Sequence, residues 1–269
     1  KRLTGLISLG LKRKAAHPPH IAERLVADML EVAPDHVLVT GDLTNLSLEP
    51  EFARARAILQ PLVDRGMLSV IPGNHDVYTR GAERDSRFES YFGDLLWGGE
   101  TPPANERYPW HQRVDDLHVV GFCSAVPRAP VMATGLVSEG QLDRLAALSR
   151  EHAFEDAFVI AMVHHNVHPR GWRKDAMHGL VNRDTFLSAL KASSVDLLLH
   201  GHTHAAHRFR QEGIAILGCG SSTWNSEDPS HIARYNLYEI ENGRLQRVTA
   251  RVFDSATDQF QDAGPLEIP

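Results

Sequence analysis

The sequence predicts an α/β fold, because short apolar strands alternate with amphipathic helices along much of the chain. The strand candidates are brief runs of β-branched and other apolar residues, which is typical of buried strands in a parallel sheet. Between them lie longer segments whose apolar residues recur every three or four positions. The buried strands are predicted at 36–40, 68–71, 158–163 and 195–200.

The helices have recognisable ends. The first, 20–33, is closed by Pro34, and the second, 49–66, stops at Gly66. Ser138, with Gln141 three residues later, is a capping-box pattern that begins a third helix. Asn242–Gly243 predicts a tight hairpin turn in a strand-rich last third. We further expect helices at 84–96, 138–151 and 182–193, a loop at 98–109, a hairpin at 110–123 and a loose tail at 254–269.

Composition limits the classes of partner. The 269 residues carry a net charge of −6, and the basic stretch "LKRK" near the start is isolated, so no nucleic-acid polymer is expected. No run of 18 apolar residues occurs, so no membrane span is expected. The two cysteines, Cys123 and Cys219, lie in apolar runs and fit a reducing compartment, which favours a cytoplasmic location. We interpret both as core thiols.

Polar clusters follow all four predicted buried strands. The strand at 36–40 leads into Gly41–Asp42, and the strand at 68–71 leads into "GNHD" at 73–76. The later strands lead into "HH" at 164–165 and "GHTH" at 201–204. The carboxyl ends of parallel strands share one sheet edge, where ligands of open α/β sheets bind. The four clusters are therefore predicted to meet.

Each cluster also has an ordinary interpretation. Asp42 alone and "GNHD" alone fit turns, and two adjacent histidines at a strand end are more often surface residues. "GHTH" indicates a metal even by itself, because a His-x-His pair beside glycine is a known ligand spacing. The conjunction of all four favours a shared site. Imidazoles together with carboxylate and amide oxygens suit Mn, Fe or Zn better than an oxygen-only Mg or Ca cage.

The motifs "GDLTN", "GNHD", "VHH" and "GHTH", in this order, resemble the calcineurin-like metallophosphoesterases over about residues 36–225. The resemblance implies a four-layer α/β/β/α sandwich of two mixed sheets with the site at one edge. It also implies a binuclear centre of two divalent transition-metal ions that hydrolyses phosphodiesters. "GNHDVY" and "HHNVHP" further resemble the bacterial cyclic-nucleotide phosphodiesterase type.

The resemblance assigns metal ligands residue by residue. Asp42 would bridge the two ions, and Asn74, His164 and His202 would complete the shell of one of them. His204 would bind the other ion. We place the histidine of the "HH" pair at His164, which directly follows the strand, with His165 as the alternative.

Three further residues would serve catalysis rather than metal binding. His75 would be the unligated imidazole that protonates the leaving group. Asp76, grouped with it, and Asn45 would hydrogen-bond and orient the loop around the site. Substrate contacts remain unassigned, because Arg170, Arg173, Lys174 and His178 fit a solvated cationic loop as well as a phosphate site.

The chain departs from the family at its start, where the Asp-x-His that binds the first metal is missing; the nearest imitation, "LISLGLK" at 6–12, lacks both ligands. We expect a single metallophosphoesterase domain over 1–269 that lacks its first strand, and genuine loss of one metal site is the alternative. His17 and His20 precede a helix and are interpreted as surface or substrate-side residues. We therefore expect this chain to bind one metal ion well and to be a weak catalyst. A version that includes the first strand is expected to bind two ions.

The leading functional hypothesis is a hydrolase, a phosphodiesterase acting on a small-molecule phosphoester. A nucleotide-lipid pyrophosphatase or phosphomonoesterase would use the same metals with a different pocket. A catalytically inactive binding module on this fold is the alternative from another class. The sequence does not specify the oligomeric state.

Overall fold

The computed structural model describes residues 16–97, 107–129, 132–226 and 228–269. The predicted alternation of strands and helices is present in this part of the chain. Its strands are β1 (Val37–Val39), β2 (Leu68–Val70), β3 (Trp110–Val114), β4 (Leu117–Gly121), β5 (Phe158–Val163), β6 (Leu197–His200), β7 (Ala206–Gln211), β8 (Ile214–Cys219), β9 (Arg234–Glu241), β10 (Arg244–Asp254) and β11 (Gln259–Leu266). Its α-helices are α1 (Pro19–Val32), α2 (Glu49–Val63), α3 (Arg80–Arg84), α4 (Arg87–Phe92), α5 (Glu139–Glu151), α6 (Trp172–His178) and α7 (Arg183–Ala192).

A six-stranded mixed sheet forms the centre, with strand order β3-β4-β5-β6-β8-β7. The four inner strands are parallel, and the antiparallel strands β3 and β7 form the edges. β5 and β6 are buried on both faces, which explains why they appear in the sequence as continuous apolar runs rather than alternating patterns.

The second sheet layer is divided. β1 and β2 form a two-stranded parallel sheet, and β9, β10 and β11 form a separate antiparallel sheet. A second mixed sheet was expected here. In the described residues, β1 and β2 are each only three residues long and pair with each other, apart from the antiparallel strands. Leu197 and Leu199 of β6 pack against Val248 of β10, which joins the two sheet layers.

Helices cover both outer faces. Leu145 of α5 and Phe186 of α7 pack with Leu198 on the outer face of the six-stranded sheet. On the other side, α1 and α2 contribute Val26 and Phe52 to the core that surrounds β1 and β2. The order helix, sheet, sheet, helix is therefore the predicted four-layer architecture.

The predicted helix at 84–96 is interrupted. Ser86 has a left-handed backbone (φ 46°), so α3 ends at Arg84, α4 begins at Arg87, and a 3₁₀ turn follows at Gly93–Leu95. A left-handed residue cannot continue a right-handed helix. The expected loop at 98–109 falls mostly outside the described residues.

The predicted loose tail at 254–269 is wrong in its middle part. Residues Gln259–Leu266 form β11, which pairs with β10 from Phe253↔Phe260 to Val248↔Leu266. Phe260 is buried beside Phe253 and Tyr235 against α1, and this burial holds the strand in place. In the described part of the chain, no helix is long and apolar enough to span a membrane.

Candidate metal centre

Four strand ends deliver the predicted side chains to one edge of the two sheet layers. Asp42 and Asn74 follow the parallel pair β1 and β2, while His164 and His202 follow the parallel pair β5 and β6. The amide hydrogen of Gly201 donates to the carbonyl of His164, which ties the two loops of the larger sheet together. The sheet geometry thus explains how residues so distant in sequence come together.

Asp42, Asn74, His164 and His202, here called the Asn74 cluster, converge through their polar atoms. Oδ1 of Asn74 lies 2.9 Å from Nδ1 of His202 and 3.1 Å from Nε2 of His164. Nε2 of His164 lies 3.3 Å from Oδ2 of Asp42. Ligands about 2.0–2.2 Å from one ion stand about 2.8–3.6 Å apart, so these separations suit donors of a shared metal.

The two adjacent histidines have different surroundings. Nδ1–H of His164 donates to the carbonyl of Thr40 at 2.7 Å, which turns its Nε2 toward the Asn74 cluster. Both ring nitrogens of His165 are instead engaged elsewhere, by the hydroxyl of Ser124 at 2.8 Å and the carbonyl of Ala133 at 3.0 Å. The geometry therefore favours His164 as the ligand.

The charges of Asp42 and His164 support each other. Burial works to raise the pKa of Asp42, but the charges of His164 and His75 outweigh it and hold that pKa well below its usual range. Burial likewise works to lower the pKa of His164, but the Asp42 carboxylate outweighs it and raises that pKa. Burial holds the pKa of His202 well below its usual value, so this ring is neutral at pH 7.

Asp76 lies beneath the site and organises the loops around it. Its carboxylate is 1 % exposed and accepts backbone hydrogen bonds from Gly73, Asp42, Leu43 and Thr44 at 2.8–3.2 Å. Burial and the charge of Asp42 raise its pKa to about 7. The buried carboxylate of Asp76 thus ties the loop after β1 to the loop after β2.

Glycines allow the two loops to approach closely. A Cβ built on Gly73 would lie 2.1 Å from Oδ1 of Asp42, and one on Gly41 would lie 2.4 Å from the backbone nitrogen of Gly73. Gly41 also has φ 94°, a conformation that favours glycine. Without side chains at both positions, the amide of His75 can donate to Oδ1 of Asp42 at 2.9 Å.

Three of the predicted ligands have left-handed backbone conformations. The φ angles are 62° at Asp42, 67° at His202 and 55° at His204. Asp, Asn and His tolerate this region better than other non-glycine residues. Backbone strain of this kind concentrates at functional sites, because the turn it produces directs side chains into the site.

His75 faces the cleft without belonging to the Asn74 cluster. Its Nδ1–H donates to the backbone carbonyl of Asn45 at 2.8 Å, so Nε2 is left to face the cleft. The ring stacks on Tyr78 with a centroid distance of 5.5 Å and an interplanar angle of 9°. Asn45 therefore contacts His75 through its main-chain carbonyl.

His204 lines the same cleft from the opposite side. Its ring lies against Trp224 at 5.3 Å and His17 at 6.1 Å, and its carbonyl accepts a hydrogen bond from Nδ1 of His231. Burial lowers the pKa of His204 to about 4, so the ring is neutral at pH 7. His17 thus packs beside His204, whereas His20 is exposed and pairs with Asp258.

The cleft has a volume of about 320 Å³. Arg170 and His178 of the uncertain cationic loop contribute to its wall, whereas Arg173 and Lys174 are exposed. The guanidinium of Arg173 instead stacks on Trp172. Of the four candidate substrate contacts, Arg170 and His178 therefore line the cleft, and Arg173 and Lys174 face solvent.

The sequence was also compared with models of known families. The model described as calcineurin-like phosphoesterase matches residues 18–206, which is well over half of the chain. The chain belongs to the calcineurin-like phosphoesterase family. The matched segment contains β1, β2, β5 and β6 together with the loops that follow them, and these loops contain all the candidate ligands of this phosphoesterase.

Two curated relatives match this chain at low sequence identity. A protein of Ruthia magnifica named a probable cyclic nucleotide phosphodiesterase is 23% identical over 226 residues, covering 83% of this chain and 85% of the relative. A protein of Rhodococcus erythropolis with the same name is 28% identical over 199 residues, covering 72% of this chain and 59% of the relative.

Solved structures share the fold of the phosphoesterase. A dimetal phosphatase from Danio rerio has a TM-score of 0.59 at 18% identity, covering 92% of this chain and 88% of that structure. A purple acid phosphatase from yellow lupin has a TM-score of 0.61 at 12% identity, covering 92% of this chain and 49% of that structure. The fold is therefore the mixed α/β fold of dimetal phosphatases.

The donor set of this phosphoesterase fits a transition-metal ion, although the side chains are not already arranged as a cage. Among the described residues, no group of three His, Cys, Asp or Glu side chains surrounds a metal position. The amide oxygen of Asn74 holds the cluster together instead, by accepting from two imidazoles. A carboxylate, an amide oxygen and two imidazoles suit a borderline first-row ion.

Several supporting residues were not predicted from the sequence. Thr40, Tyr78, Trp224 and His231 contact the site histidines, but no role was assigned to any of them from the sequence. Thr40 had a usable indication, because it directly follows β1 and precedes Gly41–Asp42. Trp224 and His231 meet His204 only through the fold.

Proposed function

We propose that this protein is a metal-dependent phosphodiesterase that hydrolyses a small-molecule phosphodiester. The Asn74 cluster carries the proposal, because a carboxylate, an amide and two imidazoles from four strand ends are linked one to the next by polar-atom separations of 2.9–3.3 Å. Family membership supports phosphoester chemistry, and the names of the relatives support a diester, including cyclic nucleotides, over a monoester.

The proposed centre has unequal halves. The Asn74 cluster would hold one divalent ion, with Mn, Fe and Zn as the candidates. Asp42 and His204 would contribute to a second ion, with Asp42 as the bridge. When bound, the ions would supply Lewis-acid stabilisation of the phosphoryl oxygens and activate water.

The remaining residues of the cleft have separate roles in the proposal. Nε2 of His75 would deliver a proton to the leaving oxygen, because its Nδ1–H is already engaged by the carbonyl of Asn45. Arg170 would help to hold the anionic substrate, since it lines the cleft and always carries a positive charge. Asp76 would keep the loops that carry Asp42 and His75 in place.

A second candidate function is a binding module with little or no catalysis. One consideration favours it: of the ligands that the family resemblance assigns to the second ion, this sequence retains only Asp42 and His204. Two protein ligands hold a transition metal weakly. In that case the cleft would still bind a phosphate-containing ligand through one ion and Arg170.

Hydrolysis of bis-4-nitrophenyl phosphate and of cyclic nucleotides with added Mn²⁺ tests the proposal. Asp42→Asn should reduce kcat/KM by at least about 100-fold, because a metal ligand is lost. Asp35→Asn, at an exposed aspartate near β1, is the matched control and should leave the rate unchanged.

Equal rates for Asp42→Asn and the parent chain would contradict the proposed centre. Metal binding without hydrolysis of any ester, including 4-nitrophenyl monoesters, would instead favour the binding module. Faster hydrolysis of monoesters than of diesters would favour the phosphomonoesterase alternative over the phosphodiesterase.

A further inference from the structure

A second group of histidines lies on the other face of the six-stranded sheet. His168, His200 and His207, here called the outer histidine cluster, come from the loop after β5, the end of β6 and the edge strand β7. His200 shares the outer face of β6 with Leu198, which packs against the helices. The outer histidine cluster is thus directed away from the layer that contains β1 and β2.

The strand register brings the cluster together. His200 pairs with Gly218 of β8, and Gly218 pairs in turn with His207 of β7, so the three positions form one row across the sheet. A Cβ on Gly218 would lie 2.5 Å from the ring of His200, so only glycine leaves room for that ring. His168 covers the row, with its ring centroid 4.1 Å from His207 and 5.6 Å from His200.

This cluster contains an unusual concentration of unsatisfied buried nitrogen atoms. Nε2 of His200 and both ring nitrogens of His168 are buried without a hydrogen-bond partner. The side-chain oxygen of the adjacent Asn166 is also buried and unpaired. His200 is 1 % exposed and Asn166 is 2 % exposed, so bulk water does not compensate them. Unpaired buried polar groups are costly and call for a ligand.

Another histidine group in this protein provides a contrast. His111, His118 and His152 also stack closely, with centroid distances of 4.2–5.9 Å. There, however, Nε2 of His111 and Nδ1 of His118 are paired at 2.9 Å, and none of these rings has a buried unpaired nitrogen. Close histidine packing therefore does not by itself leave nitrogens unsatisfied, and the outer histidine cluster differs from a packing group.

We propose that the outer histidine cluster binds a divalent first-row transition-metal ion, Zn²⁺ foremost, through His168, His200 and His207. Three imidazoles are an established ligand set for zinc with one open coordination position. The unpaired oxygen of Asn166 lies beside His168, whose carbonyl accepts from the Asn166 amide at 2.9 Å. This Asn166 oxygen would be a further oxygen donor next to the three imidazoles.

Access and charge are compatible with this proposal. His168 and His207 are half-buried, so an ion can enter from their side. Burial lowers the pKa of His168 to about 4, so its ring is free of protons at neutral pH, as ligation requires. Arg170 and Arg183 oppose a cation near His168, and Asp175 favours one.

The rings must turn before they surround an ion, since no metal cage of three such side chains is preformed among the described residues. The ring of His207 lies 6.3 Å from that of His200, and both can contact an ion placed between them once His168 rotates. His168 is on a loop and His207 is on an edge strand, where such adjustment is least restricted.

Zinc titration of a variant with a weakened Asn74 cluster tests the proposal. Asp42→Asn/Asn74→Ala should still bind one equivalent of Zn²⁺ by calorimetry and elemental analysis. Adding His207→Phe should weaken this binding by at least about 10-fold. His111→Phe, in the contrasting histidine group, is the control and should leave it unchanged.

Failure of Asp42→Asn/Asn74→Ala to bind Zn²⁺ while its circular dichroism matches the parent would overturn the proposal. Unchanged binding after addition of His207→Phe would do the same. His168→Gln provides a second, milder variant if His207→Phe does not fold, and it too should weaken binding. Because the readout is the zinc bound by Asp42→Asn/Asn74→Ala with and without His207→Phe, the outcome is independent of any phosphodiesterase activity.

Discussion

Oδ1 of Asn74 accepts a hydrogen bond from Nδ1 of His202 across 128 residues of sequence. The same oxygen lies 3.1 Å from Nε2 of His164. A single amide therefore connects the loops of the two sheet layers, one after β2 and the others after β5 and β6. Because both layers must be packed together before this oxygen meets its partners, the centre can form only in the folded protein.

His75→Gln should impair catalysis in a way that depends on the leaving group. Hydrolysis of a cyclic nucleotide, whose alkoxide needs a proton, should slow by about 10²–10⁴-fold. Hydrolysis of bis-4-nitrophenyl phosphate should slow much less, because 4-nitrophenolate leaves without protonation. Steady-state kinetics on both substrates measures the difference, and an equal loss on both would contradict a proton-donor role.

Asp76→Ala should destabilise the fold even though Asp76 does not contact the cleft. The four backbone amides that its carboxylate accepts would lose their partner, at a cost of about 3 kcal/mol or more. Urea unfolding followed by circular dichroism measures this change. The exposed helical residue Asp143 provides the control, since Asp143→Ala should change the free energy of unfolding by less than about 0.5 kcal/mol.

Gly73→Ala should disrupt the site through a single methyl group. Its Cβ would lie 2.1 Å from Oδ1 and 2.3 Å from the backbone nitrogen of Asp42, so the loop must move. We expect a loss of about 2 kcal/mol or more in unfolding free energy and weaker Mn²⁺ binding. Gly140→Ala, at an open position in the first turn of α5, should instead be neutral or slightly stabilising.

His111→Phe should reduce the sensitivity of the fold to acid. Burial lowers the pKa of His111 to about 4, with His152, His118 and Arg144 adding to the effect. A histidine with a lowered folded-state pKa stabilises fully above its unfolded value of about 6.5 and progressively less as the pH falls toward 4. Because the ring is partly exposed, we expect this effect to reduce the free energy of unfolding by only about 1 kcal/mol at pH 5 relative to neutral pH.

Thermal unfolding at pH 7.5 and pH 5.0 measures this contribution. The parent should lose more stability between the two pH values than His111→Phe does. His20→Phe, at an exposed histidine on α1, should show the parent's pH dependence. An identical pH dependence for His111→Phe and the parent would show that His111 does not contribute.

The sequence predicted the architecture where local patterns coincide with buried geometry. β5 and β6 are buried on both faces, so their apolar runs were unambiguous, and the polar residues after them marked the sheet edge. The break at Ser86 was missed because a left-handed serine has no reliable sequence signal. β11 was missed because its stability comes from Phe260, which packs against residues distant in sequence.

The candidate site was predictable in its motifs but not in its supports. Asp42, Asn74, His164 and His202 each follow a strand, and the sheet brings them together. His17 lies near His204, and its ring forms a hydrogen bond with the hydroxyl of Thr223, which is 206 positions away in the sequence. His207 was not singled out from the sequence, since its partners lie on other strands and the strand register cannot be read from spacing alone.

The left-handed backbone at Asp42, His202 and His204 restricts how this centre can change during evolution. A glutamate, cysteine or β-branched residue at these positions would meet a conformational penalty before its donor atom reached an ion. Substitutions among Asp, Asn, His and Gly at these positions carry the smallest backbone penalty. Laboratory libraries that seek a new metal preference should therefore vary Asn74 and His164 first, since their backbones carry no such restriction.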